Sequence, residues 1–375
     1  MLCPITRLLA IATMRDIFIL MTGLLCYSCL ILLLNRHHTM KNILIVFTGG
    51  TIGSVTAENT IKTSGDAPFT LLEMFRQRYK NQQQIQFTAI QPLQILSENL
   101  APPAWKILIE AIEAESIGLY DGIIITHGTD TLAFTAAACS FYFNDVNLPI
   151  LLVSSNYPLE NPRANGLENF ICAIEFILQI NQPGVFVPYR NPQQPAQLHK
   201  GSRLASSLQL SGDFFSVQGK SYLQYEDEQF LTLNAAPLSS PKYQLKADFS
   251  KRILLIKPYP GLDYSSFDLS KIDVVLHDLY HSGTACSSVQ WGENLSLLAF
   301  IRRCREHDTP IYLAPAIKSA NAYETTRALL DEGAEMIWNM SLESAYAKLL
   351  LAYANFKDER EIQAFLKDDI AGEHI

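Results

Sequence analysis

Short β-branched apolar runs, separated by longer stretches of helical spacing, constrain this 375-residue chain more than any other feature. Ile43–Phe47, Ile123–Thr126, Ile150–Val153 and Val185–Val187 are brief and almost wholly apolar. They read as strands buried on both faces of a mainly parallel sheet. Pro103–Ser116, Leu132–Phe143 and Leu167–Ile180 lie between them and place apolar residues at helical intervals. That alternation predicts a doubly wound α/β domain. At 48% hydrophobic and 18% charged residues the chain is globular, and it is long enough for two domains.

The pattern loosens around Gln218–Ser250, where YEDEQFLTLNAAPLSSPK replaces periodic apolar residues with acidic, Gln and Ser-Ser-Pro positions. This reads as an antiparallel hairpin leading into a linker. Strands resume at Ile253–Lys257, Val274–His277 and Ile311–Ala314, with helices expected over Leu295–Arg303 and Tyr323–Leu330. The expected organisation is a larger amino-terminal, doubly wound, mainly parallel α/β domain over 40–230, a linker over 231–250, and a smaller α/β domain over 251–375.

Residues 1–39 differ in kind. Ile17–Leu34 is a run of eighteen residues without a charge, close to the lower limit for a bilayer-spanning helix. Arg7 and Arg15 precede it and Arg36 follows, which leaves orientation ambiguous. No Ala-x-Ala cleavage site follows, and YSC at 27–29 only weakly resembles a lipoprotein box. Met40 is followed at once by KNILIVFTGG, a natural beginning for a cytoplasmic α/β protein. A misplaced start, an inner-membrane anchor through 17–34 and a cleaved signal therefore stand side by side. Residues 1–39 hold three Arg and one Asp, so the chain from Met40 carries −10 against −8 overall. An acidic chain without a basic block excludes nucleic acid as the expected partner. Beyond residue 39 only Cys139, Cys172, Cys286 and Cys304 remain, and none is in a CxxC pair. They signal neither zinc nor a disulfide framework, and fit a reducing compartment.

Two threonine motifs each follow a strand. Thr51 lies in TGGTIG (48–53) after ILIVF, and Thr129 in HGTDT (127–131) after GIIIT. Open α/β sheets bind ligands beyond the carboxyl ends of their strands. Gly49, Gly50, Gly53 and Gly128 permit tight turns and close approach to the backbone, whose N–H groups could hold an oxyanion. Singly, each motif could be a plain turn or a weak phosphate cradle. No Lys-Ser/Thr follows as in a Walker loop, and the pattern is not GxGxxG. Their joint occurrence behind two buried strands is the informative signal.

Together these motifs resemble the bacterial L-asparaginase/glutaminase family, closest to its cytoplasmic type, over about residues 41–350. TGGTIG is similar to the first family signature, and GIIITHGTDTLAFTA (122–136) to the second. The resemblance implies hydrolysis of the side-chain amide of L-asparagine, and sometimes glutamine, without metal or organic cofactor, in a homodimer or homotetramer. It implies that Thr51 is the nucleophile and Thr129 the second catalytic threonine, with Gly50 and Gly128 bringing backbone against substrate. Asp130 would bind the substrate ammonium by a charge-assisted hydrogen bond. ILSENLAPPAW (95–105) resembles the loop that holds the substrate carboxylate, with Ser97 in the serine position. Glu98 stands where the family often has Gln or Ser. It would repel a carboxylate, so it grips the ammonium or points away. The residues alone leave Asp130 open as a helix N-cap and Ser97 as a helix-entry cap.

Two departures bear on catalysis. The family carries an activating tyrosine after its first motif, but SVTAENTIKTSGD (54–66) has none; Thr60 falls nearest, with Lys62 close by. The family also carries a lysine where HKGSRLASS (199–207) has Ser206. A lysine of lowered pKa can take a proton from a hydroxyl, and a serine cannot do so unaided. His127, His199, Lys200, Tyr280 and His281 are the candidate replacements. SSNYPLENPRANG (154–166) also departs from the family pattern. LHDLYHSGTACS (276–287) resembles the segment that completes the site of a neighbouring protomer, with Thr284 in that role or the loop merely structural. The reading is an asparaginase of a divergent branch. The alternatives are a non-catalytic amino-acid-binding homologue that has lost its bases, and an amidohydrolase for another amide such as glutamine, like the amidotransferase subunits that resemble asparaginases.

Overall fold

The computed structural model describes residues 40–57, 60–63, 67–235 and 241–375. The leader, and the anchor, signal and misplaced-start expectations attached to it, lies outside the described residues. Among those described, no helix is long and apolar enough to cross a membrane. The chain divides into two compact units, residues 1–41 with 81–86, and residues 42–80 with 87–375. Of the first, residues 82–84 form a single 3-10 turn. The second holds both sheets described below but for Lys41, Ile85 and Gln86.

The first sheet contains β1 (Lys41–Phe47), β4 (Ile85–Ile90), β5 (Gly122–Thr126), β6 (Pro149–Val153), β7 (Gly184–Tyr189), β8 (Ala196–Lys200), β9 (Leu223–Glu226) and β10 (Gln229–Thr232). A separate hairpin pairs β2 (Ser54–Ala57) with β3 (Thr60–Thr63). The strand order is β10-β9-β8-β7-β6-β5-β1-β4. β1, β5, β6 and β7 are parallel neighbours. Every residue of β5 and β6 is buried, as expected for strands covered on both faces. Beyond β7 the sheet turns antiparallel through β8, β9 and β10. Within the loosened stretch after residue 218, β9 and β10 form an edge hairpin whose turn residues 226–229 face water.

The helices are α1 (Ala67–Arg78), α2 (Pro102–Ala114), α3 (Leu132–Tyr142), α4 (Gly166–Gln179), α5 (Leu297–Glu306), α6 (Glu324–Asp331), α7 (Leu342–Asn355) and α8 (Glu359–Lys367). The second sheet, parallel throughout, orders β11 (Ile253–Ile256), β12 (Val274–His277), β13 (Ile311–Ala316) and β14 (Glu335–Trp338). The architecture is α/β with a large, mainly parallel sheet and a smaller parallel one. One core runs from Leu44 and Ile123 through α3 to Leu276 and Leu349. Aromatic edges close it, with Phe134 against Tyr346 at 5.6 Å and Trp105 against Phe249 at 5.4 Å. The Trp105 indole N–H donates to Thr135 Oγ1 at 2.9 Å, so burial leaves it satisfied.

One ion pair lies wholly inside. Lys348 on α7 meets Glu373, both side chains fully buried. The ammonium also sits near the rings of Phe141 and Phe365 and donates to the Asp368 carbonyl. Glu373 in turn accepts the N–H groups of Ile370 and Ala371, so the pair fastens the last residues of the chain to α7. Arg203 holds the same segment through the carbonyls of Gly372 and His374.

Two histidines are buried with the strands. His199 Nδ1 meets Ser216 Oγ at 2.9 Å, and its Nε2 has no partner among the described residues. His277 Nε2 meets the Tyr264 hydroxyl at 2.8 Å. Burial pushes both imidazoles down to about 4, although the Asp278 carbonyl pulls His277 the other way.

Two outcomes follow from these groups. Lys348→Met should destabilise the chain by about 3–5 kcal/mol, because a buried carboxylate is left alone. Pairing it with Glu373→Leu should recover much of that loss in urea unfolding. The histidines bind protons near pH 6.5 when unfolded and only near 4 when folded. Stability should therefore fall as pH drops from 6.5 to 4, by up to about 3 kcal/mol per histidine. His199→Gln should flatten the fall in unfolding free energy measured across that window.

Candidate functional site

β1 and β5 are adjacent and parallel, with Phe47 opposite Thr126. The chain leaves both at the same carboxyl edge, as Thr48–Thr51 and as His127–Thr129. From β1 the chain goes on to β4, on one side of this pair, and from β5 to β6, on the other. Successive connections diverge there and open the crevice in which such sheets bind ligands.

Hydrogen bonds lock the loops together at this point. Thr48 Oγ1 donates to the Thr126 carbonyl at 2.6 Å. Gly50 N–H donates to the Ile95 carbonyl at 2.9 Å, and Ile95 N–H returns to the Thr48 carbonyl at 3.0 Å. Ser54 Oγ donates to the Gly50 carbonyl at 2.6 Å. Gly50 has φ 73°, and a Cβ added there would stand 2.2 Å from Gly128 N. A Cβ on Gly128 would stand 2.4 Å from Ser97 Oγ. Only glycine fits where two backbones and a serine share this space. Thr51 and Thr129 each follow one of the touching glycines, and consecutive Cα atoms are about 3.8 Å apart. The two threonines therefore emerge side by side. Both are partly exposed, and neither side chain is hydrogen-bonded to another described residue.

Ser97 and Asp130 join the same cluster. Ser97 is buried in a short 3-10 turn, and its hydroxyl donates to Asp130 Oδ2 at 3.0 Å. It also accepts the Asp130 N–H at 3.2 Å. Thr131 Oγ1 donates to the Ser97 carbonyl at 3.0 Å, tying the loops a second time. The N-cap residues of α2 and α3 are Ala101 and Thr131, neither with a side-chain cap bond. Ser97 and Asp130 thus cap neither helix; they hold each other beside the threonines. Glu98 is exposed next to Ser97.

The candidate bases are arranged otherwise. His127 is buried, and its Nδ1 donates to the Gly128 carbonyl at 2.7 Å. Burial lowers its pKa, although the Gly128 carbonyl opposes that shift. The ring is a neutral brace for the turn. His199 faces Ser216 in the strand layer. Lys200 pairs with Phe186 and lines a cavity with Gln182 and Gly184, at the amino end of β7. That is the edge opposite the threonines. His281 lines a separate cavity of about 350 Å³ at the carboxyl end of the second sheet. Tyr280 and Thr284 close a turn beside it, with Tyr280 N–H donating to the Thr284 carbonyl at 2.9 Å. Ser206 donates both its N–H, at 2.9 Å, and its hydroxyl, at 2.6 Å, to Glu343. The side chains of residues 55–68, Thr60 and Lys62 among them, lie outside the described residues.

Thr48, Ser54 and Thr131 escaped the sequence reading as site residues, yet their hydroxyls tie the loops. The visible signal was the outer threonines of TGGTIG and HGTDT, overshadowed by the inner ones. Among the described residues no group of three His, Cys, Asp or Glu side chains is placed to hold a metal ion.

A family model described as "Asparaginase, N-terminal" matches residues 42–237. The chain is 27% identical to a glutamyl-tRNA(Gln) amidotransferase component of Methanosphaera stadtmanae, over 89% of this chain and 76% of that one. It is 25% identical to an L-asparaginase of Thermococcus kodakarensis, over 88% and 98%. The solved thermostable L-asparaginase of Thermococcus kodakarensis superposes with TM-score 0.73 at 23% identity, over 89% and 99%. L-asparaginase I of Vibrio cholerae does so with TM-score 0.73 at 24% identity, over the same shares. These two structures share the fold, and the matched model spans more than half of the sequence. This chain belongs to the asparaginase family.

Proposed function

We propose that this chain hydrolyses the side-chain amide of L-asparagine to L-aspartate and ammonia, with Thr51 as nucleophile. The observation that carries this is the pair of threonine hydroxyls, unengaged among the described residues, on touching glycine loops, beside a carboxylate fixed by Ser97. Thr51 Oγ loses its proton as it bonds to the amide carbon. The C–N bond then breaks, and nitrogen leaves as ammonia with a proton. Water cleaves the resulting ester and frees the threonine. Thr129 orients the attacking groups. Asp130, acceptor-only when ionised, takes the substrate ammonium, and Ser97 takes the carboxylate by turning its one O–H away from Asp130. The N–H of Gly50 is engaged by Ile95, whereas those of Thr51 and Thr129 have no acceptor among the described residues. These last two are the oxyanion donors of this reading.

Ser206 is bonded to Glu343, and His127 to Gly128. Ser206 has no basic nitrogen and burial weakens His127 as a base, so turnover slower than at a lysine-assisted site is expected. The likeness to the cytoplasmic asparaginases brings with it a homodimer or homotetramer, and the division into domains at 231–250. The match to an amidotransferase component favours a second reading, in which glutamine is the amide cleaved. One methylene separates the two substrates, worth about 1–3 kcal/mol in a pocket.

Ammonia release from L-asparagine and L-glutamine, measured on the purified chain, decides between them. Thr51→Ala should lower the preferred reaction by at least about a thousandfold. Ligand binding without ammonia release in the parent chain would instead mark a binding protein. Gly50→Ala should cost about 1–3 kcal/mol of stability and most of the activity, since φ 73° and the Gly128 backbone both oppose a Cβ. Thermal unfolding and turnover of that variant, run together, would separate misplacement of Thr51 from plain unfolding.

A further inference from the structure

A second cavity lies at the sheet edge opposite the threonines, around the segment that enters β7. Its volume is about 310 Å³, at the small end of the about 300–1,000 Å³ typical of ligand sites. Lys200 lines it and is only 8% exposed. No carboxylate or carbonyl among the described residues meets its ammonium. The ammonium instead faces the Tyr222 ring, 5.4 Å from its centre.

Most of the other polar groups of the wall are engaged. Ser140 Oγ donates to the Ala136 carbonyl at 2.7 Å. Asn144 Nδ2 donates to the carbonyls of Phe141 and Tyr243, each at 2.8 Å. Gln182 is engaged by the Tyr222 hydroxyl. Lys242, exposed at the rim, donates to the Asn144 carbonyl. The remaining wall is largely apolar, with Phe143, Val185 and Phe186 prominent.

We propose that this cavity is a second ligand site, taking a small organic carboxylate. Its carboxyl group would pair with Lys200 and its carbon chain would lie against Phe143, Val185 and Phe186. An ammonium removed from water demands an acceptor, and a cation at the rim favours an anion entering. The apolar part of the wall favours an organic acid over inorganic phosphate.

The charged surroundings agree. Arg203 is committed to the carbonyls of Gly372 and His374, and Glu373 to Lys348. Burial, then Glu373, pushes the Asp369 carboxyl upward. Burial, with Arg203 adding repulsion against the pull of Asp369 and Glu373, brings the Lys200 ammonium down to about 8. A bound carboxylate would reverse that shift, so binding above pH 8 should take up a proton.

Calorimetric titration of the full chain with butyrate, inorganic phosphate and butylamine tests the site. Saturable butyrate binding is expected, weakened at least about tenfold in Lys200→Met, with no saturable binding of phosphate or butylamine. Butyrate affinity unchanged in Lys200→Met, phosphate bound as tightly as butyrate, or no binding at all would overturn it. Should Lys200→Met fail to fold, reductive methylation of the parent chain reads the same point by peptide mass spectrometry. Butyrate should slow modification of Lys200 severalfold, and equal rates with and without it would count against the site.

Discussion

The approach of Gly50 to Gly128 is the constraint on which the rest of the site depends. Neighbouring strands lie about 4.8 Å apart, so two loops leaving β1 and β5 together start too close for side chains. A Cβ at Gly50 would come within 2.2 Å of Gly128 N. Removing both side chains lets the loops touch, and each then turns its next residue, a threonine, into the crevice. Ser97 fills the remaining gap and fixes Asp130. No single element makes the site; contact between three loops does.

Helix α3 carries that constraint into the core. It begins just after Asp130, and every residue from Leu132 to Tyr142 is buried except Phe134. A helix apolar on all sides has no face to give to water, so packing fixes its position rather than amphipathicity. Its Ala136–Ala138 run lets the chain after β8 come close: a Cβ on Gly201 would stand 2.9 Å from the Ala136 carbonyl and 2.7 Å from Ser140 Oγ. On another side α7 packs through Tyr346 and Lys348. The helix that presents Asp130 is thus held by the first sheet, by the loop after β8, and by the helix that fastens the chain's last residues.

How much of this the sequence disclosed follows from period and burial. β1, β5, β6 and β7 were legible because buried parallel strands are short unbroken apolar runs. The helices expected at 103–116, 132–143 and 167–180 run over Pro102–Ala114, Leu132–Tyr142 and Gly166–Gln179. α7 was not singled out. Its buried Glu343 and Lys348 interrupt the apolar pattern, and their partners Ser206 and Glu373 are distant in sequence. β8 escaped because its buried His199 and Lys200 look like surface residues in a string of letters. Thr51, Thr129, Ser97 and Asp130 were legible as motif residues. The Ser97–Asp130 bond was not, since two residues 33 apart declare no contact until the fold brings them together.

The serine at 206 shows what a departure from a family pattern costs locally. Glu343, in the first turn of α7, is 8% exposed and needs donors in place of water. Ser206 supplies two, N–H and hydroxyl, on one carboxylate oxygen. The first turn of a helix favours a negative charge as well. That oxygen is therefore satisfied as it stands. A residue lost by decay would leave a polar partner stranded; here the partner is fully employed in joining the 199–207 segment to α7. On the proposed reading, the proton-transfer capacity that a lysine would bring is exchanged for a structural tie, and activation of Thr51 would fall to groups nearer the glycine contact.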